Sequence, residues 1–528
     1  MATLAQTIKF KVIAEGTAIP PRAKPWSAYL NRDSWDDWGK YCTLFHLTIV
    51  DGEGKQQNVG SLKIGQRGLK PHARSPRLPA GSRKPKVPLE FEQLEEDFFS
   101  VGQDDSYYAN LTALGNGIRK QVLTRLRDVA RDKKRWKWAA NEEVMKESLL
   151  RSVTSSTVEG QFRRMAQGHA RVTSYDFSYL PPKRLGDGAP PFRLDFSVDP
   201  DSPIPTNVHV LIGRNGVGKT RLLSLMTKAL VAQEASAKQS GRFKIDSDDS
   251  RSSTFANVVA VSFSAFDEND LLPDRAPEPG SLGFSYIGLR SFSEGSSSET
   301  SASKSPNMLA KEFVESLAMC TIGVRRARWK LAIDNLESDP VFRSAELSEL
   351  IDADLGTKKG RHEAVAAFRS LSSGHKIVLL ILTRLVEKVE ERTLVLIDEP
   401  EAHLHPPLLS SMTRAISELL VRRNGVAIVA THSPIILQEV PKSCVWIIDR
   451  GVTTAKAERP SIETFAEAVG VLSREVFQLE LSQSGYHHIL AEMRRREATY
   501  PRALKILGNQ IGAEGKAVLR AMYLQSDE

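Results

Sequence analysis

The sequence predicts an α/β fold: a mixed, mainly parallel sheet covered by helices, preceded by an α+β N-terminal domain and followed by a helical C-terminal extension. Three observations carry this. Between Phe192 and Arg450, short runs dense in Val and Ile alternate with helical patterns, as buried parallel strands joined by covering helices do. One such strand, VHVLI, runs into the stretch Gly213-Arg214-Asn215-Gly216-Val217-Gly218-Lys219-Thr220 and then into a helical run, TRLLSLMTKALVA. Outside these limits the alternation stops.

Length and composition bound the rest. A chain of 528 residues has room for about two to four domains, and the predicted division is 1–188, 189–450 with an insertion over about 268–368, and 451–528. No apolar run approaches the roughly 18 residues of a membrane span, and MATLAQTIKFKVIAEG lacks the apolar core of a signal peptide. A cytoplasmic chain with no membrane partner is expected. Cys42, Cys320 and Cys444 stand apart and suggest neither a disulfide framework nor a metal site. The formal charge of +8 permits DNA as a partner without requiring it.

In chain order, CTLFHLTIVDGEGKQQNVGSLKIGQ reads as two strands around Asp51-Gly52-Glu53-Gly54, a hairpin with turn residues at its tip. RGLKPHARSPRLPAGSRKPKVP follows, carrying Arg67, Lys70, Arg74, Arg77, Arg83, Lys84 and Lys86 with no acid, and reads as a loop or a disordered arm. From Ser106 to Ser152 the pattern is helical. Val122, Leu126 and Val129 share one face, while Arg119, Arg125, Arg127, Arg131, Lys133, Lys134, Arg135 and Lys137 crowd elsewhere. YLPPKRLGDGAPP reads as a linker. Strands are expected at VHVLIG, NVVAVSFS, TLVLIDEP, GVAIVATHS and CVWIIDR, and the serine-rich stretch from Ser291 to Asn307 as a flexible insertion.

Gly213 to Thr220 matches the phosphate-binding pattern G-x-x-x-x-G-K-[ST]. Glycines let successive backbone N–H groups turn toward phosphates, Lys219 reaches the β- and γ-phosphates, and Thr220 offers a hydroxyl to Mg²⁺. The strand before and the helix N-terminus after supply the context that the pattern needs. Gly213, Arg214, Asn215, Gly216, Val217, Gly218, Lys219, Thr220 and Arg221 are therefore the predicted nucleotide contacts. A third glycine, as in a dinucleotide fingerprint, is missing, since Arg221 stands there. At the end of TLVLIDEP, Asp398 is the predicted metal carboxylate with Thr220, and Glu399 the predicted general base. No N-K-x-D guanine signature occurs, so the expected nucleotide is ATP with Mg²⁺.

Two further stretches narrow the class. Leu371-Ser372-Ser373-Gly374-His375 opens a strongly apolar helix ahead of the acidic strand, and VAIVATHSP sets His432 at a later strand end. With these the chain resembles the ABC-type P-loop ATPases, whose signature L-S-G-G-Q opens a helix at this place. Within them it resembles the soluble heads of the SMC and OLD (overcoming-lysogenization-defect) branch, to which bacterial anti-phage defence ATPases of the Septu kind belong. DEPEAHLHP, with Glu401, His403 and His405, and SSGHK are the wording of that branch.

The resemblance implies that Ser372, Ser373 and Gly374 bind the γ-phosphate of ATP held by a second copy. It implies a homodimer through the ATP sites, and a His432 that contacts the γ-phosphate and the attacking water. It departs at Ser264, Phe266 and Asp267, where no glutamine stands. No long heptad arm separates Thr220 from Leu371 and no D-x-D pair of a nuclease follows His432, so a nuclease or toxin working with this chain is expected to be a separate subunit. The expected function is ATP hydrolysis coupled to a DNA-related or effector process, anti-phage defence among them. The alternative is a slow-hydrolysing, ATP-responsive scaffold controlling such an effector.

Overall fold

The structure, a computed structural model, describes all residues except 1–6, 21–22, 38, 72–82, 170–171, 183–191, 232–236, 246–254, 263–271, 276–281, 292–301, 322–324, 403, 451–454, 484, 509 and 525–528. Arg74 and Arg77 of the basic loop, most of the expected linker, Ser264, Phe266, Asp267, most of the serine-rich insertion and His403 lie outside the described residues.

The N-terminal unit is built on β1 (Lys9–Ile13), β2 (Ser27–Arg32), β3 (Leu44–Val50), β4 (Gln56–Gln66), β5 (Glu90–Phe91) and β6 (Phe98–Gly102). They form a six-stranded sheet ordered β5-β1-β2-β3-β4-β6, antiparallel except for β1 beside β2. Asp51 closes the β3–β4 turn by accepting hydrogen bonds from the Glu53 and Lys55 N–H groups at 3.0 and 2.9 Å. Helices α1 (Asp105–Ala113), α2 (Asn116–Arg125), α3 (Lys133–Ala139), α4 (Ser155–Thr157) and α5 (Arg163–Gln167) complete the unit.

The helical pattern from Ser106 to Ser152 is thus broken into pieces, because Gly115 (φ +107°) and Arg127 (φ +57°) turn the chain in the left-handed region. Val122, Leu126 and Val129 are fully buried in the core with Phe10, Leu47 and Phe99. Two of the crowded cations are buried rather than solvated. Arg135 donates to the Glu96 and Phe98 carbonyls at 2.6 and 2.8 Å and pairs with the Glu96 carboxylate, and Arg119 donates to Thr112 Oγ1 and the Gln167 carbonyl.

The second unit comprises β7 (Tyr175–Leu180), β8 (Leu194–Val198), β9 (Val208–Ile212), α6 (Lys219–Val231), α7 (Ala237–Ser240), β10 (Arg242–Ile245), β11 (Asn257–Ser262), β12 (Gly283–Gly288), β13 (Arg290–Ser291), β14 (Ala302–Ser303), α8 (Pro306–Cys320), α9 (Arg325–Leu336), α10 (Pro340–Ser344), α11 (Lys358–Ser370), α12 (Ser373–Lys388), β15 (Thr393–Asp398), α13 (Pro406–Arg423), β16 (Val426–Thr431), α14 (Pro434–Leu437), β17 (Val445–Arg450) and β18 (Ala455–Glu458). Its seven-stranded sheet runs β12-β11-β15-β16-β9-β17-β18, parallel except for β18.

The strands bury both faces by alternation. Val208, Val210 and Ile212 pack with α8, α9, α12 and α13, while Leu211 packs on the opposite face with Leu222 and Met226 of α6. A small antiparallel sheet, β10-β7-β8, lies on the α6 side, where Phe177 and Phe196 stack at 4.9 Å.

This unit reaches beyond 189–450 at both ends. β7 precedes residue 189 yet pairs with β8, and β18 extends the main sheet past 450. β12 lies inside the expected insertion but pairs with β11 along its whole length, so the sheet claims it. Helices α15 (Val469–Gln483), α16 (Tyr486–Arg496), α17 (Tyr500–Ile506) and α18 (Ala513–Leu524) follow, the last three around their own small core of Leu490, Ala503 and Leu519. Among the described residues, no helix is long and apolar enough to cross a membrane.

A buried ionic seam joins the two units just before β15. Glu390 pairs with Arg423 and Arg325, Glu391 pairs with Arg164 of α5, and Asp104 at the start of α1 pairs with Arg328 of α9 at 2.7 Å.

Candidate nucleotide site

The parallel register brings the C-terminal ends of three adjacent strands to one edge of the sheet, where ligands of open α/β folds bind. Asp398 at the end of β15 stands opposite Ala430, and Thr431 at the end of β16 stands opposite Ile212 of β9. Three segments distant in sequence thereby meet: the glycine loop after β9, the acidic turn after β15 and His432 after β16.

The loop is shaped by its glycines. A Cβ at Gly213 would lie 2.2 Å from the Ile448 carbonyl oxygen of β17, so only glycine fits. Gly216 and Gly218 hold φ of +79° and +99°, and a Cβ built on either meets nothing within 4 Å. The loop therefore turns in the left-handed region with open space beside Gly216 and Gly218 and is followed directly by the N-terminus of α6, which is the arrangement a phosphate chain fits.

Lys219 is buried and donates from Nζ to the Gly213 and Arg214 carbonyls at 2.9 and 3.0 Å, leaving one of its three donors for a phosphate. Burial pulls the ammonium below the ordinary lysine value, while the Glu399, Glu401 and Asp398 carboxylates act to keep it charged. Thr220 Oγ1 donates to Asp398 Oδ1 at 3.1 Å, so the hydroxyl and the carboxylate already stand side by side as two oxygens for one hard cation. Arg221 is exposed on the first turn of α6, and Asn215 is exposed at the loop tip.

Glu399 leaves the strand at φ +45°, the left-handed region, with its N–H donating to the Ala430 carbonyl at 2.9 Å. A non-glycine residue there is held by its surroundings rather than by its own preference, and here β16 is the surrounding that fixes it. His432 is half-exposed, and its place is set by Glu401. Glu401 Oε1 accepts from Thr431 Oγ1 and the His432 N–H, both at 2.7 Å, and faces His432 Nδ1 at 2.9 Å. The motif wording includes Glu401 without assigning it a task. Its signal was there, a third carboxylate in Asp398-Glu399-Pro400-Glu401.

Ser372, Ser373 and Gly374 make no hydrogen bond to the glycine loop of the same chain among the described residues. Ser372 and Ser373 are exposed at the N-terminus of α12, and Gly374 is buried beneath them. Ser372 caps that helix and contacts His375, which in turn meets Asp339 of the helical insertion. Nothing in the sequence pattern marked Asp339.

A family model described as "AAA domain, putative AbiEii toxin, Type IV TA system" matches residues 239–438, the part that carries Ser372, Asp398, Glu399 and His432 but not the loop. Protein ea59 of Escherichia phage lambda is 39% identical over 541 residues, an alignment that covers 99% of each chain. The chain belongs to the family of that phage protein. Two solved structures also match: an inward-facing putative metal-chelate type ABC transporter (14% identity, 58% of this chain and 89% of that one, TM-score 0.29) and a nucleotide-free ATP-binding cassette from an ABC transporter (17% identity, 51% and 85%, TM-score 0.25). Similarities this remote add nothing to the strand order already described. That order, with the glycine loop between β9 and α6 and the acidic end of β15, is an ABC-type P-loop ATPase fold.

Proposed function

We propose that the chain binds ATP with Mg²⁺ and hydrolyses it in a site completed by a second copy of itself. The observation that carries this is Thr220 Oγ1 at 3.1 Å from Asp398 Oδ1, beside the buried Lys219 and the open glycine loop. Lys219 and the loop N–H groups neutralise and hold phosphate oxygens; Thr220 and Asp398 would hold Mg²⁺, which would supply charge stabilisation to the phosphates when bound. Glu399 takes the proton of the attacking water, and His432, oriented by Glu401, contacts the γ-phosphate and that water. The exposed Ser372 and Ser373 face outward at a helix N-terminus, which supports a role toward ATP on another copy.

Turnover per chain that rises with protein concentration, from almost none at high dilution, is the expected result. Turnover independent of concentration would remove the second copy from the site.

The process served is DNA-related or directed at a partner effector, a separate nuclease or toxin, with anti-phage defence as one setting. A slow-hydrolysing scaffold is the second reading. It is favoured by the ionic seam, which ties the N-terminal unit to the base of the strand bearing Asp398 and could report the site's state to a partner without fast turnover. Turnover measured with and without duplex DNA separates the two: stimulation favours a DNA-coupled ATPase, indifference the scaffold.

A further inference from the structure

Behind Ser372 lies a chain of hydrogen bonds that the site reading does not use. Ser372 Oγ is 2.6 Å from His375 Nδ1, and His375 Nε2 is 3.1 Å from Asp339 Oδ1. Asp339 Oδ1 also accepts from the Val341 and Phe342 N–H groups at 2.8 and 3.3 Å, capping α10, while Oδ2 faces His405 Nε2 at 3.6 Å. Asp339 and His375 are both buried, and the Phe342 ring lies 5.1 Å from that of His375.

For a neutral His375 ring, donor and acceptor counting places the protons along this chain. Burial works against ionisation of Asp339, but His375 and the two N–H groups hold it below the usual carboxylate range, so it accepts. His375 Nε2 must then carry hydrogen, and in the neutral ring Nδ1 is an acceptor. The Ser372 hydroxyl is therefore the donor to Nδ1, and its hydrogen points inward, away from solvent. A phosphate oxygen reaching Ser372 would meet lone pairs only. Turning the hydroxyl outward would set two acceptors against each other at 2.6 Å, a contact that is relieved when Nδ1 gains a proton.

We propose that His375 and Asp339 are positioning residues for Ser372, and that seating a phosphate on Ser372 draws one proton from solution onto His375 Nδ1. The imidazolium then donates from Nδ1 to Ser372 Oγ and from Nε2 to Asp339, and the freed hydroxyl donates to the phosphate. Asp339 on one side and the phosphate on the other favour the added proton, and the His405 ring, 6.0 Å from that of His375, is a further titratable group that faces it. His405 does not compete for Asp339 Oδ1, since it faces the other oxygen.

Asp339, His375 and His405 could be taken for a metal site, because their ligand atoms lie within 4.8 Å of one another. Proton placement opposes that. His405 Nδ1 accepts from the Leu408 N–H at 3.3 Å, which leaves the hydrogen on Nε2, the atom a metal would need bare.

The inference rests on the two-copy reading, and its test separates the two. Mg²⁺ and ATP are titrated calorimetrically into the Glu399→Gln chain in buffers of different ionisation enthalpy, with light scattering alongside, and the titration is repeated with His375→Gln added. Glutamine at 375 has no basic nitrogen and leaves the serine hydroxyl free. The expected result is assembly in both, with about one more proton taken up per chain when His375 is present. Asp339→Asn, which still caps α10, should lower the uptake in the same way and covers the case of a His375→Gln chain that folds poorly. Assembly with equal proton counts overturns the inference alone; absence of ATP-dependent assembly overturns the two-copy reading and the inference with it. Equimolar transition metal retained by the wild-type chain and lost in His405→Gln also overturns it, since a metal on Nε2 would keep Nδ1 permanently protonated.

Discussion

Arg423 Nη2 lies 2.8 Å from Glu390 Oε2, both side chains buried, at the point where the last turn of α13 meets the chain entering β15. Arg325 approaches the other oxygen of Glu390 at 3.4 Å, and Arg423 Nη1 lies 3.7 Å from Asp105 of the N-terminal unit. The seam therefore contains charges from both units, and Glu390, Arg423, Arg325 and Asp105 are buried where they stand. Motion of α1 against α13 would be felt at the root of the strand that ends in Asp398.

Glu390→Gln should destabilise the protein by about 3 kcal/mol, since it leaves two buried guanidiniums short of negative charge. Adding Arg423→Met removes one of them and should recover part of the loss. Denaturant unfolding followed by tryptophan fluorescence measures both. A single variant as stable as wild type would mean that the seam is solvated.

Lys219→Ala removes the ammonium that the Gly213 and Arg214 carbonyls position. Charge-assisted hydrogen bonds to phosphate contribute about 1.5 to 3 kcal/mol, so affinity for a fluorescent ATP analogue should fall at least about tenfold. Circular dichroism should stay unchanged, because the bonds that Lys219 makes are to carbonyls of its own loop. Undiminished affinity would remove the loop from the binding site.

Asp128 gives a pH dependence of known sign. Burial raises its carboxyl from 3.8 to about 7, against hydrogen bonds from the Arg131 N–H, Tyr108 Oη and the Ala130 N–H. The folded chain thus binds this proton more tightly than the unfolded one. The contribution is full below about pH 4 and is lost as pH rises to about 7, with a slope near 1.4 kcal/mol per pH unit. Asp128→Asn keeps the acceptor for the two N–H groups and should flatten this part of the profile, making the variant the more stable chain at pH 8. Parallel profiles for the two proteins would show that Asp128 is ionised throughout.

Much of the site was legible because its chemistry sits in contiguous words. A glycine loop with lysine and threonine, and a strand ending in Asp-Glu, each need neighbours in sequence, so Lys219, Thr220, Asp398 and Glu399 could be named without a structure. The five buried strands were legible from their Val and Ile density. What stayed hidden depends on distance in sequence. β12 has ordinary composition and joins the sheet only through β11, and Asp339 reaches His375 across a helical insertion. Arg119 and Arg135 looked like surface charge because periodicity cannot show the carbonyls that receive a buried guanidinium. The basic stretch around Arg74 and Arg77 lies outside the described residues, so the expectation of DNA contact rests on charge.

Glu399→Gln gives the sharpest test, since it separates binding from chemistry at one atom. Glutamine preserves the size of the side chain and can still hydrogen-bond a water, but it cannot take the water's proton, so general-base assistance worth about 10² to 10⁴ in rate should vanish. The backbone that places residue 399, through its N–H to the Ala430 carbonyl, is unchanged by the substitution, and Lys219, Thr220 and Asp398 keep their contacts. ATP should therefore still bind, and if ATP joins Gly213–Thr220 of one copy to the exposed Ser372 and Ser373 of another, stopping hydrolysis should trap the pair. Light scattering with ATP and Mg²⁺ should show a lasting increase in mass for Glu399→Gln and a transient one for wild type. Ser372→Arg added to Glu399→Gln should dissolve the trapped species by placing bulk at the seam between copies. Hydrolysis at the wild-type rate by Glu399→Gln would refute the general-base role, and a trapped species untouched by Ser372→Arg would put the contact between copies elsewhere.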